Sequence, residues 1–229
     1  MLKRFLLPRV SISLLALGAM QSAVASDDAG WYLTGSVGSA QYRMDIASQI
    51  RDACAGQCSV ESATLDGTNA TSYRFGGGYQ VNRYLAAELA FVDLGDVGSH
   101  YRTVSTGVTS DIQGKYRLDG YQVLAVGRWP VTESIALLGK LGIFASRLRY
   151  SEAGTVQFQQ GPYSFVAPHD NATKATFGLG AEYRLDPRWA LRVDWDRYQG
   201  IGRRFALTES DNGRFDSVDS YSVGISYRF

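Results

Sequence analysis

Along most of the chain, apolar and polar residues alternate one for one. At the C-terminal end Tyr221, Val223, Ile225, Tyr227 and Phe229 interleave with Ser220, Ser222, Gly224, Ser226 and Arg228. Upstream, Phe177, Leu179, Ala181 and Tyr183 interleave with Thr176, Gly178, Gly180, Glu182 and Arg184. Trp189, Leu191, Val193 and Trp195 do the same with Ala190, Arg192, Asp194 and Asp196. A period of two means strands whose faces meet two different surroundings. Eight such segments are predicted, near residues 31–42, 71–81, 84–94, 116–129, 134–150, 173–184, 189–199 and 217–229. Three connections are tight: Asn82-Arg83, Pro130 to Glu133, and Leu185 to Arg188, where Asn, Pro and Asp-Pro supply turn geometry. The others, near 43–70, 95–115, 151–172 and 200–216, are long and rich in Gly, Ser, Thr, Asp and Asn.

Long structureless connections count against a compact soluble domain. They suit a transmembrane β-barrel, which has short turns on one rim and long loops on the other. The polar faces carry small residues and isolated charges, which fit a narrow polar lumen. Trp31, Tyr84, Trp129, Trp189 and Phe229 fall beside the short-turn ends, and Tyr42, Tyr73, Tyr116, Tyr150 and Tyr198 near the long-loop ends. This spacing predicts two aromatic girdles flanking an apolar band. A soluble lipocalin-like barrel, apolar inside, gives no reason for such belts. The expected fold class is all-β: an eight-stranded antiparallel up-and-down transmembrane β-barrel, preceded by a signal peptide.

Composition sharpens this reading. The 229 residues are 45% hydrophobic and 12% aromatic, with 25 Gly and 5 Pro, which excludes disordered and collagen-like chains. The mean hydropathy of −0.15 excludes a bundle of membrane helices. It does not exclude a barrel, because only every second residue of a spanning strand faces lipid. Lys3, Arg4 and Arg9, the apolar run from Val10 to Met20, and the small residues Ala23-Val24-Ala25 form the three-part layout of a secretory signal peptide. Residues 1–25 are therefore expected to be cleaved near Ala25, leaving a barrel domain over 26–229. With 23 basic and 22 acidic residues the formal charge is +1, and losing those three bases takes it to −2. Nothing in that balance calls for nucleic acid.

Export implies an oxidising compartment. Cys54 and Cys58, in CAGQC, are expected to form a small local disulfide. A redox motif has two intervening residues rather than three, and a metal site needs further ligands nearby. His100 and His169 lie in or beside the long connections, with Ser99 next to His100. That arrangement lacks the nucleophile, base and orienting acid of a hydrolase. No catalytic residue, metal or cofactor is expected.

The segments SYRFGGGYQVNRYLAAELAF (72–91), FGLGAEYRLDPRWALRVDW (177–195), VGISYRF (223–229) and WYLTGSVGSAQY (31–42) resemble the eight-stranded transmembrane domain of the outer-membrane protein A (OmpA) family. The likeness covers most strands and fails in the loops. It implies a stand-alone barrel in the Gram-negative cell outer membrane, without the peptidoglycan-binding domain of long family members. In that family a charged cluster inside the barrel plugs or gates a narrow water path. Matching motifs assign Glu88, Lys140, Glu182 and Arg192 to the cluster, with Asp194 on the same face as Arg192. The fourth-strand base of the family falls at Val126 and does not carry over. Glu182 and Arg192 lie on adjacent strands of one tight hairpin, and unpaired charge in a low-dielectric interior is costly, so these two are expected to pair.

The resemblance further implies a structural and surface-interaction role, four extracellular loops, and outer-membrane lipid and lipopolysaccharide as surroundings. A host or surface ligand would be held through the loops. A narrow porin-like channel and a lipid A-modifying enzyme are the alternatives. Tyr227 and Phe229 resemble the terminal signal read by the barrel-assembly machinery, reached with periplasmic chaperones. Deleting Phe229 is expected to lower the amount of barrel recovered in outer-membrane fractions, and normal assembly of that variant would refute the signal role.

Overall fold

The computed structural model describes residues 29–43, 59–105, 108–156, 163–166, 170–201 and 215–229. These contain ten strands: β1 (Gly30–Arg43), β2 (Ser59–Asp66), β3 (Asn69–Asn82), β4 (Leu85–Ser105), β5 (Val108–Pro130), β6 (Ile135–Val156), β7 (Tyr163–Val166), β8 (Asp170–Arg184), β9 (Trp189–Ile201) and β10 (Phe215–Arg228). Eight of them form a closed antiparallel ring in the order β4-β3-β1-β10-β9-β8-β6-β5, and pairing of β5 with β4 completes it. The first and last ring strands meet, from Tyr32 opposite Arg228 to Arg43 opposite Ser217. The three tight turns fall where the sequence predicts them. Each is held by a side-chain oxygen that accepts two backbone N–H groups. Asn82 Oδ1 accepts from Tyr84 (2.8 Å) and Leu85 (3.0 Å), Thr132 Oγ1 from Ser134 (3.3 Å) and Ile135 (2.9 Å), and Asp186 Oδ1 from Arg188 (2.7 Å) and Trp189 (2.8 Å).

The opposite rim departs from the expected pattern. The connections predicted as long loops at 95–115 and 151–172 are in good part strand. β4 and β5 stay paired from Asp96 opposite Arg117 to Ser105 opposite Val108, and β6 follows β5 to Val156. β2 adds to the free side of β4 and β7 to that of β6. A five-stranded blade, β2-β4-β5-β6-β7, thus continues the barrel wall beyond the ring. The alternation is lost to sequence reading because β4 is bulged between Asp93 and Asp96. The bulge shifts the inward positions from even numbers (Val92, Leu94) to odd ones (Val97, Ser99). Gly95 makes the bend at φ 80°, and a Cβ there would sit 2.4 Å from the Thr71 carbonyl oxygen.

Outside the ring, Leu89, Val123, Leu141, Ile143, Val193 and Val223 form an exposed apolar band. On the tight-turn rim Trp31, Tyr84, Trp129, Trp189 and Phe229 all point outward, Trp129 74% and Phe229 75% exposed. The second girdle needs correcting. Tyr73 points outward, with Phe91, Tyr121 and Tyr221, but Tyr42, Tyr116, Tyr150 and Tyr198 are buried inside. Tyr198 shares its parity with Arg192, Asp194 and Asp196, and side chains two apart share a face.

These four tyrosines change the character of the lumen. With Leu94, Leu118, Phe144, Leu148 and Val218 they form one apolar cluster that fills the blade-side half of the barrel. Phe144 and Tyr198 pack ring on ring at 4.8 Å, and the Tyr42 hydroxyl donates to the Leu94 carbonyl at 3.0 Å. The expectation of a polar interior therefore holds only for the other half.

Where the blade meets the ring, the Tyr101 and Tyr150 hydroxyls donate to Glu152 Oε2 at 3.0 and 2.5 Å, and the Tyr116 and Tyr150 rings lie 4.7 Å apart. Burial pushes the Tyr116 phenol up to about 12 and also raises Tyr101 and Tyr150. Next in importance are the Glu152 charge for Tyr101 and the neighbouring Tyr116 for Tyr150. A phenol with a raised folded value adds stability below its ordinary value of 10.0 and loses it as pH climbs through the folded one. Tyrosinate absorbance should therefore show at least three phenols that stay protonated at about pH 11 in the folded protein and ionise near 10 after unfolding. Full ionisation near 10 in the folded barrel would contradict this packing.

Candidate functional site in the barrel lumen

The middle of the lumen holds six charged side chains, delivered by the inward parity of four strands. Arg74 comes from β3, Glu88 from β4, Lys140 from β6, and Arg192, Asp194 and Asp196 from β9. All six are at most 7% exposed. Arg74 sits at the centre: Nη1 lies 3.2 Å from Asp196 Oδ2, and Nη2 lies 3.5 Å from Glu88 Oε2 and 3.6 Å from Asp194 Oδ2. Lys140 Nζ bridges Asp194 Oδ1 (3.0 Å) and Asp196 Oδ1 (2.7 Å). Arg192 Nη1 donates to Glu88 Oε1 at 2.7 Å, with Nε 3.5 Å from Asp194 Oδ2. The Tyr32 hydroxyl on β1 donates to the same Glu88 oxygen at 2.9 Å.

Three cations thus face three carboxylates, and the cluster is neutral. Neutrality is what a low-dielectric interior demands, since one unmatched charge there costs several kcal/mol. β8 makes room for it. A Cβ on Gly178 would meet Asp196 Oδ1 at 2.4 Å, and one on Gly180 would meet Asp194 Oδ1 at 2.3 Å.

Of the residues assigned from sequence, Glu88, Lys140, Arg192 and Asp194 come together here; Glu182 does not. Glu182 and Arg192 are directly opposite in register, yet they do not pair. Arg192 turns to the central cluster, where Glu88 and Asp194 both receive it. Glu182 lies nearer the tight-turn rim and accepts from Arg128 Nη2 at 2.5 Å. This corrects the expected Glu182–Arg192 pair. The partner is Arg128, two residues beyond Val126 on the fourth ring strand, while Val126 itself packs with Leu124 and Leu138. Arg74 and Asp196 are the members that sequence reasoning left out. Both sit at inward positions, Arg74 in step with Ser72 and Gln80.

The cluster is closed off on both sides. The apolar cluster lies over it toward the blade. Toward the tight turns, a cavity of only about 40 Å³ lies among Arg128, Glu182, Arg192 and Arg228. That is room for about one water.

Among the described residues, no group of three or more His, Cys, Asp or Glu could hold a metal ion. His100 Nε2 lies 2.7 Å from Asp111 Oδ1 in the blade. Adjacent Ser99 points to the other face of β4 and is buried, so the two do not form a nucleophile–base pair. Tyr227 packs against Trp189 (4.8 Å) and Phe229 (5.3 Å) at the end of β10. Residues 1–28, Cys54, Cys58 and His169 lie outside the described residues.

The sequence model of a family described as an outer membrane protein beta-barrel domain matches residues 10–229. Outer membrane protein A of Shigella flexneri is 32% identical over 154 residues, covering 67% of this chain and 38% of that protein. The Yersinia pseudotuberculosis protein of the same name is 27% identical over 224 residues, covering 96% of this chain and 54% of that protein. The chain thus spans about half or less of the length of these relatives. Among solved structures, the attachment invasion locus protein Ail of Yersinia pestis superposes with a TM-score of 0.45 at 17% identity, covering 87% of this chain and 99% of that one. OprG of Pseudomonas aeruginosa gives 0.44 at 13% identity, covering 89% and 98%.

Arg74→Ala removes one partner from three buried carboxylates. It is expected to cost about 3–5 kcal/mol, the scale for breaking a buried ion pair. Arg117→Ala, in an exposed pair with Asp93, should cost under about 1 kcal/mol. Urea unfolding of the refolded barrel in uncharged detergent reads both, and equal midpoints for the two variants would contradict the central role of Arg74.

Proposed function

Because the chain belongs to the outer membrane protein beta-barrel domain family, and is an outer-membrane β-barrel, we propose that it is a non-catalytic structural barrel whose task is to hold a rigid blade at the cell surface. In this reading residues 1–25 are a signal peptide cleaved near Ala25. The tight-turn rim faces the periplasm, and the blade and the remaining loops face outward. Assembly proceeds through periplasmic chaperones and the barrel-assembly machinery, with Tyr227 and Phe229 as the terminal signal. Lipopolysaccharide surrounds the outer rim, and the partner is a host or surface ligand.

The observation that carries this reading is the contrast between lumen and blade. The lumen is filled, apolar in one half and ion-paired in the middle. The chain instead extends β4, β5 and β6 by about ten residues each beyond the apolar band. Binding function concentrates where a rigid scaffold projects segments into solvent. The channel alternative is weaker, because Leu94, Leu118, Phe144 and Tyr198, at most 1% exposed, close the blade-side half. A filled interior is also the rule for eight strands. The lipid A-modifying alternative lacks a nucleophile–base pair among the described residues.

An epitope inserted after Ser105 should bind antibody on intact cells, and exclusion of the antibody would reverse the proposed orientation. In planar bilayers the wild-type barrel is expected to give no steady conductance. Phe144→Ala together with Leu118→Ala should open measurable events. A stable wild-type conductance would favour the channel reading instead.

A further inference from the structure

On the outer surface, at the boundary between band and blade, β5 and β6 switch abruptly from aliphatic to charged. On β6 the outward residues Leu141, Ile143 and Ala145 are followed by Arg147 and Arg149, and on β5 Val123 and Tyr121 are followed by Asp119, Arg117 and Lys115. The acids at this level are already engaged. Asp93 is held by Arg117 at 2.8 Å, Asp96 by Lys115 at 2.9 Å, and Asp119 by Arg149. On the far wall, Arg43 (3.2 Å) and Arg197 (2.7 Å) both converge on Asp219. Arg147 differs from all of these. It lies between Asp119 and Asn171 in register, is exposed, and makes no ion pair within 4.0 Å among the described residues. It borders a groove of about 290 Å³ whose wall also includes Phe91, Asp119, Tyr121, Asn171 and Thr173. The Phe91 and Tyr121 rings meet edge to face at 5.6 Å and give the groove an apolar floor at the edge of the band.

This combination is specific in chemistry. An exposed guanidinium with no carboxylate within 4.0 Å among the described residues stands at the polar–apolar boundary. Beside it are the amide of Asn171 and the hydroxyl of Thr173, and below it is an aromatic floor. A planar guanidinium binds phosphate bidentately, and such bonds are about twice as strong as neutral ones. We propose that the groove between β5, β6 and β8 binds the phosphate of an outer-leaflet lipid headgroup, with Arg147 as the principal donor, Asn171 as its neighbour, and the start of the lipid chain against Phe91 and Tyr121. Asp119 does not oppose this, because Arg149 neutralises it. The site rests on the orientation given under Proposed function.

Native mass spectrometry of the refolded barrel in uncharged detergent tests the assignment, using diphosphorylated lipid A and its dephosphorylated counterpart as probes. Wild type should retain the phosphorylated form and release the other. Arg147→Gln should weaken retention about tenfold, the scale of one charge-assisted bond. Arg43→Gln, which removes the same charge from the far wall, should leave it unchanged. Heat-modifiable migration on gels confirms that each variant is folded. Equal retention by Arg147→Gln, equal retention of the dephosphorylated lipid, or an equal loss in Arg43→Gln would each overturn the site. A reversed orientation would instead show in the intact-cell epitope assay and leave retention in detergent untouched, so the two failures are distinguishable.

Discussion

Hydrocarbon offers no hydrogen-bond partner, so every backbone N–H and C=O within it must find one in the protein. Strands meet that demand only by closing on themselves, and the pairing of the first strand β1 with the last strand β10 is where this chain does so. Much else follows from closure. Eight strands set a narrow lumen. The pleat then dictates that each strand sends alternate residues into that lumen, whatever their chemistry. The lipid face can be simple, because Leu, Val, Ile and aromatics all serve. The inner face cannot, because it has to fill a confined space from several strands at once.

The chain fills that space in two ways. In the blade-side half it uses apolar side chains and four tyrosines, as a soluble core would. In the middle it uses six charges that cancel, seated against the glycines of β8. The second solution adds little net stability over an apolar filling, since desolvation offsets the Coulombic gain. It does impose register. Arg74, Lys140 and Arg192 find their carboxylates only if β3, β4, β6 and β9 stand at the right heights. A slip of one residue would send these charges into lipid.

How far the sequence could be read follows from the same geometry. The eight ring strands, the tight turns and the lipid face are legible because the period is strict there, and because Asn82, Pro130 and Asp186-Pro187 mark the turns. Tyr198 belongs to the lumen rather than the girdle because its parity with Asp194 and Asp196 turns it inward; closeness to a rim along the chain does not decide which face a side chain takes. The β4 part of the blade is illegible because Gly95 adds a bulge, which shifts the inward positions by one and breaks the pattern. The lumen partners were only half legible. Parity tells which residues enter, but not which strand they face across the barrel. Hence register points Glu182 to its neighbour Arg192, whereas Arg128 from another wall reaches it.

The unbroken run of β4, β5 and β6 from the tight-turn rim into the blade has a mechanical consequence. β5 has 23 residues, or roughly 75 Å of strand at about 3.3 Å per residue. A pull on the tip of the blade runs along these strands and so loads the whole ladder of interstrand bonds in shear. A hinged loop would concentrate the same pull at its base and peel the bonds one at a time. Built this way, the blade behaves as a cantilever anchored in the barrel wall, and tension from anything gripping its end spreads over the full height of the membrane-embedded ring.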